Sequence, residues 1–123
     1  MMALIEDLKR IVGPRGCTTD PDELQSHLVE WRGAYEGRAR VMVSPASTAE
    51  VAAVVEARGR AGAAIVPQGG NTGLCGGAVP DTSGEQVILS LHRMNRIRKV
   101  DPENFSIEVD AGCVLAAVQD AAR

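Results

Sequence analysis

Between Pro67 and Pro80 the chain carries five glycines, Gly69, Gly70, Gly73, Gly76 and Gly77, directly after the apolar run Ala63-Ala64-Ile65-Val66. Each Gly in place of Ala leaves the unfolded chain about 0.4–1 kcal/mol more disorder to lose. A packed surface turn does not need five of them. The segment therefore reads as a loop leaving the end of a strand, with its backbone bare so that a ligand can approach without a Cβ in the way. Successive N–H groups pointing into one concavity form an anion nest, and the natural guest is a phosphate or pyrophosphate. The loop is not a Walker motif, because no lysine lies between Gly69 and Gly77. Nor does it have the Gly-x-Gly-x-x-Gly spacing that opens a helix, and Pro80-Asp81-Thr82-Ser83-Gly84 continues as loop. A phosphate cradle of neither type outweighs a flexible surface hairpin.

A chain of 123 residues has room for one domain, burying about two-thirds of its unfolded surface. Aromatic residues make up only 2%, so Val, Ile, Leu and Ala must build the core. A net charge of −3 argues against nucleic acid or an anionic membrane as the main partner. No apolar stretch reaches the length of a bilayer span, and the N-terminus lacks a signal pattern. Cys17, Cys75 and Cys113 are odd in number and widely spaced, as expected of reduced thiols in the cytoplasm. Cys75 has no neighbouring cation to activate it. His27 and His92 have no metal-ligand spacing, so no metal site is expected.

Leu4, Ile5, Leu8, Ile11 and Val12 repeat at helical spacing up to Gly13-Pro14. A second helix is predicted from Asp20-Pro21-Asp22-Glu23, with Leu24, Leu28 and Trp31 on its buried side. Both precede the sheet, so residues 1–36 read as a helical arm. Residues 40–44 form a short strand. Ser47-Thr48-Ala49-Glu50 has capping-box spacing for a helix with the stripe Val51, Val54 and Val55, and Ala63 to Val66 is the next strand. Strand, helix and strand make a βαβ unit with parallel strands. The glycine loop then leaves the carboxyl end of the second strand, where ligands bind in such sheets.

Val87 to Leu91 reads as a buried strand. Residues 96–101 and 104–110 read as an antiparallel hairpin on a second, smaller sheet, with Phe105, Ile107 and Val109 facing one way. Glu108 and Asp110 would lie on its wet side. Arg93, Arg96, Arg98 and Lys99 read as a solvated basic strand edge. Val114, Leu115 and Val118 begin a helix running to Arg123. The fold class is thus α+β: a βαβ unit with a small parallel sheet flanked by helices, followed by the start of a second antiparallel sheet.

The span from about Thr19 to Arg123 resembles the N-terminal FAD-binding domain of the vanillyl-alcohol oxidase/p-cresol methylhydroxylase superfamily. More narrowly, it is similar to the branch of FAD-linked dehydrogenases for D-lactate and D-2-hydroxyglutarate. The resemblance is carried by Thr19-Asp20-Pro21, Trp31-Arg32-Gly33, Val43-Ser44-Pro45, the run from Pro67 to Gly73, Gly76-Gly77, Leu91 to Asn95, and Glu108 to Gly112. It implies that Gln68, Gly69, Gly70, Asn71, Thr72 and Gly73 wrap the FAD pyrophosphate. Backbone N–H groups would do this, with Asn71 and Thr72 adding side-chain donors. It implies that Gly76 and Gly77 pass the cofactor's inner face, and that Pro45, Ala111, Gly112 and Val114 lie near the adenine end. Asn71 takes the place where some members carry a histidine bonded to flavin, so the FAD is expected to be non-covalent.

The implied chemistry is hydride transfer from C2 of a small 2-hydroxy acid to flavin, giving the 2-oxo acid. In relatives the substrate and catalytic residues lie far downstream, so no catalytic residue is expected within this chain. The domain boundaries are read as a 1–36 helical arm and a 37–123 partial FAD-binding domain with its pyrophosphate loop at 67–80. No substrate domain is expected within these residues, and this portion alone is expected to be inactive. Two other readings stand beside it. One is a non-catalytic, truncated FAD-domain remnant that self-associates, for instance as a homodimer, through unpaired strand edges. The other is a phosphate-binding module for a different nucleotide.

Overall fold

The computed structural model describes residues 1–123. Helix α1 spans Met2–Val12 and buries Leu4, Leu8 and Val12, one residue per turn on a single face. It ends at Gly13, whose φ of 75° no β-carbon residue adopts cheaply. Strand β1 (Cys17–Thr18) follows, then the short helix α2 (Pro21–Leu24), capped by Asp20 accepting from the Asp22 N–H. Strand β2 (Met42–Val43) leads into α3 (Thr48–Ala61). The expected capping box is present in a variant form: Ser47 Oγ accepts from the Glu50 N–H, while Glu50 reaches back to the Ala46 N–H. Gly62, left-handed at φ 71°, ends α3.

Strands β3 (Ile65–Gln68) and β4 (Val87–Ser90) complete the first sheet, in the order β1-β2-β4-β3. β2, β4 and β3 are parallel and β1 is antiparallel. The two strands of the expected βαβ unit are therefore not neighbours; β4 slots between them. Burial follows the period of two. Val41, Val43, Val87 and Leu89 face α1 and α3, in one cluster with Leu8, Val54 and Ala57. Met42 and Ile88 face the other way, onto Leu24. A sheet covered on both faces explains the unbroken apolar run of β4. Residues 1–36 are thus woven into the sheet layers, with α1 covering one face, Leu24 on the other and β1 on an edge.

The second sheet is the hairpin of β5 (Ile97–Asp101) and β6 (Ser106–Val109), followed by α4 (Leu115–Ala121). Several expectations change here and upstream. The second helix is one turn long and tightens into a 3₁₀ turn at Gln25–His27, and Trp31 is 78% exposed rather than buried. The buried carboxylate of Glu30 captures the N–H groups of Arg32 and Ala34, so side-chain hydrogen bonds fold a turn where helix was expected. Val55 is exposed, and Ala57 takes its place on the buried stripe of α3. Phe105 does not join β6: it sits in the hairpin turn at φ 52° and is 98% exposed. Asp110 is not on a wet face, since its side chain is 11% exposed and paired with Arg98 at 2.5 Å. α4 stops at Ala121, short of Arg123.

Candidate functional site

Because β2, β3 and β4 run parallel, their carboxyl ends lie along one edge of the sheet. Ser44-Pro45 leaves β2 there, the glycine run leaves β3, and Leu91 to Met94 leaves β4. Hydrogen bonds tie the three exits together: Arg93 Nη1 donates to Ser44 O at 2.9 Å, and the Leu91 N–H to Gln68 O at 3.0 Å. Arg93 is therefore a tie between strand exits, not a solvated basic edge. The Ala111-Gly112 turn docks against the same exits, with the Gly112 N–H donating to Met94 O at 2.9 Å. A Cβ on Gly112 would lie 1.7 Å from Leu91 O, so only glycine fits. Pro45, Gln68 to Gly73, Ala111 and Gly112 are thus brought to one edge of the sheet, the carboxyl edge of its parallel strands. Val114 caps α4 two residues farther on.

Gln68 anchors the loop from beneath. It is 1% exposed, and its Nε2 donates to His27 O and Ala78 O, both at 2.9 Å. Two carbonyl acceptors fix the amide's orientation, so Oε1 accepts from His27 Nδ1 at 2.5 Å, and Nδ1 carries the proton. Gln68 therefore cinches both ends of the loop and its side chain has no donor to spare. Asn71 is similarly engaged: in the left-handed region at φ 54°, it donates from Nδ2 to Val29 O at 2.8 Å. Its expected role as a side-chain donor to a phosphate is not the arrangement found.

The backbone tells a different story. From Gly69 to Ala78 no backbone N–H donates to any group of the chain. Most of these residues are exposed, so their donors are open to solvent and to a ligand rather than committed to the fold. The glycines sharpen the point. Gly76 is required by the fold, at φ 78° with the Tyr35 ring 2.9 Å from where a Cβ would sit. Gly69, Gly73 and Gly77 have ordinary negative or extended φ and nothing within 4 Å of that position, and Gly70 meets only a Thr72 methyl at 3.8 Å. The chain itself does not demand glycine at those four places; a ligand lying against the backbone would.

Sequence reasoning missed the turn Val29 to Glu36, which braces the loop. Arg32 Nη2 donates to Leu74 O at 2.9 Å, Asn71 reaches Val29 O, and Tyr35 packs on Gly76. Glu30, 3% exposed, holds the turn together. The N–H of Arg32 above all keeps its carboxyl below the usual carboxylate range, against the opposing effect of burial. The available signal was the Gly33 that allows the turn, at φ 74°. A cleft of about 340 Å³ opens between this turn and the loop, lined by Ser26, His27, Trp31, Gly69, Gly70 and Asn71. A second hollow of about 490 Å³ lies beyond it, by Tyr35, Val66, Gly76, Gly77 and Gln86. No cluster of metal-ligating side chains accompanies the loop or the clefts.

Residues 39–123 match the model of a family described as an FAD binding domain. The chain is 36% identical over 107 residues to a mitochondrial D-2-hydroxyglutarate dehydrogenase of Arabidopsis thaliana, covering 87% of this chain and 19% of the relative. It is 36% identical over 111 residues to the corresponding protein of Bos taurus, covering 90% and 20%. The chain thus spans about a fifth of the length of the curated relatives it matches. Among solved structures, p-cresol methylhydroxylase superposes with a TM-score of 0.84 at 24% identity, over 98% of this chain and 24% of that one. An alkyldihydroxyacetonephosphate synthase superposes with a TM-score of 0.84 at 21% identity, over 98% and 24%.

Proposed function

The chain belongs to the FAD-binding domain family, in the fold of p-cresol methylhydroxylase, and from that membership we propose that it forms the cofactor-cradling portion of a flavin-dependent D-2-hydroxyacid dehydrogenase. Its cofactor is FAD. The residues fit that group: ten successive unpaired N–H groups could receive the diphosphate oxygens, and four glycines leave open the space their β-carbons would fill. Charge-assisted hydrogen bonds of this kind contribute roughly 1.5–3 kcal/mol each. In this reading Gly69 to Gly73 supply backbone donors and Gln68 and Asn71 hold the loop in shape. Pro45, Ala111, Gly112 and Val114 border the adenine end. The cofactor, when bound, would supply the acceptor for a hydride from C2 of a substrate of the lactate, 2-hydroxyglutarate or glycolate type. The dehydrogenase relatives support that substrate class.

Binding is proposed to be non-covalent, because Asn71 offers no nucleophile and its amide is committed to Val29. The free thiols of Cys17, Cys75 and Cys113 support a reducing compartment such as the cytoplasm. The unpaired donor run carries the proposal. Its test is equilibrium dialysis of FAD against the chain: saturable binding, with the flavin fully recovered after denaturation, is the expected result. Binding that survives denaturation would refute the non-covalent part, and no binding would refute the whole. A second reading, self-association of the chain, draws on exposed Val100, Phe105, Val114 and Leu115 beside unpaired strand edges. Light scattering on the flavin-free chain distinguishes it.

A further inference from the structure

We propose that Trp31 is a stacking platform for a planar heteroaromatic ring of the ligand whose phosphates lie on the glycine run; the inference rests on the cofactor reading above. Trp31 is the chain's one tryptophan and is 78% exposed. An indole is normally a large contributor to a core, so holding it in water at a fixed place needs a reason. The place is fixed. The Glu30 carboxylate accepts from the N–H groups of Arg32, at 2.9 Å, and Ala34. Main-chain bonds join Gly33 N–H to Glu30 O at 2.9 Å and Glu30 N–H to Tyr35 O at 3.2 Å. The indole therefore rides on the tip of a turn that cannot easily rearrange.

That turn is also fastened to the ligand loop, through Arg32 to Leu74 O and Asn71 to Val29 O. Trp31 consequently lines the same cleft as Gly69 and Gly70, where an added β-carbon would meet nothing closer than a Thr72 methyl at 3.8 Å. The cleft is thus lined both by Trp31 and by Gly69 and Gly70, whose backbone N–H groups have no partner in the chain. A ring joined to a phosphate matches both. Aromatic stacking of this kind tolerates any flat base, because every such ring has a π-face, so the shared chemistry covers the adenine and the isoalloxazine halves of the cofactor alike.

The test combines two readouts on the chain and on Trp31→Phe and Trp31→Ala, both of which replace an exposed side chain and leave the packed residues in place. Flavin fluorescence anisotropy measures FAD binding without reference to the indole. The Stern–Volmer slope for acrylamide quenching of Trp31 reports whether the indole is covered. FAD is expected to bind, to lower that slope at saturation, and to bind about tenfold more weakly to Trp31→Ala but within about threefold of normal to Trp31→Phe. Separate titrations with ADP and with FMN identify the stacked half by which of them protects the indole. FAD binding with an unchanged slope and equal affinity in all three proteins would overturn the stacking role and leave the cofactor reading standing. Absence of FAD binding by anisotropy would overturn both. Protection that grows with protein concentration in the absence of nucleotide would assign the indole to a second copy of the chain and overturn the proposal.

Discussion

Gly73 and Gly76 stand three residues apart and answer to different demands. Gly76 is held at positive φ under the Tyr35 ring, whereas Gly73 has neither constraint. Replacing Gly73 by Ala therefore removes only unfolded-state freedom, and the folded chain should gain about 0.4–1 kcal/mol. The same change places a methyl where a phosphate would approach, so FAD affinity should fall about tenfold or more, the loss of one charge-assisted contact. Gly76→Ala should instead lose stability. Urea melts paired with flavin titrations check both, and a Gly73→Ala chain with undiminished affinity would remove the loop's glycines from the argument. Glu30 gives a prediction of the same scale. Its folded carboxyl titrates below its ordinary value of 4.5, so the folded state favours the ionised form. That stabilisation is complete above the unfolded pKa and is lost as pH falls through the folded one. Asp110, beside Arg98, and Asp81, bonded by Ser83, are lowered as well and share the acid limb. Glu30→Gln should be less stable at neutral pH and show a shallower loss below about pH 4.5. Urea midpoints between pH 7 and 3 measure it, and an unaltered acid limb would contradict the role given to Glu30.

At the scale of elements, α1 is the sharpest test of how the layers are built. Leu8 is fully buried, in contact with the cluster of Val43, Val54 and Leu89. Leu8→Ala should cost about 2–5 kcal/mol and weaken the whole sheet cooperatively; a loss confined to α1, seen by hydrogen exchange, would show that the helix is an appendage. The elements legible from the sequence are those in which one periodic signal dominates. α1 and α3 carry stripes with glycine stops, and β4 is an apolar run too short for a helix. The glycine loop was legible as a loop leaving β3 because of its composition, of which the fold itself accounts for Gly76 and not for Gly69, Gly70, Gly73 or Gly77. Elements went unread where side chains compete for the backbone. Glu30 turns the chain at Arg32 and Ala34, and Asp101 accepts from the Asn104 N–H, turning the chain just before Phe105. Neither contact has a periodic signature. The brace by Arg32, Asn71 and Tyr35 was invisible for another reason: its partners are about 40 residues apart, which no local pattern reports.

On the scale of the whole molecule, the parallel order of β2, β4 and β3 brings three chain exits to one edge and leaves the β5–β6 hairpin as a separate sheet with Phe105 uncovered. These two surfaces make opposite predictions for the melting temperature. If the carboxyl edge cradles the cofactor, free FAD at about a hundred times its dissociation constant should stabilise the folded state by about 2.7 kcal/mol, raising the melting temperature by about 10 °C for a chain of this size. That rise should depend on FAD concentration and hardly on protein concentration. If the apolar hairpin surface governs instead, a dimer melts higher at higher protein concentration, and FAD changes little. Differential scanning fluorimetry over a grid of both concentrations separates the two slopes. Gly73→Ala should flatten the FAD slope alone and Phe105→Ser the protein slope alone, because the glycine run is tied to the strand exits and Phe105 lies in the turn of the second sheet. A Phe105→Ser chain that loses its response to FAD would show that the two surfaces are one, and the assignment of the site to the carboxyl edge would then fail.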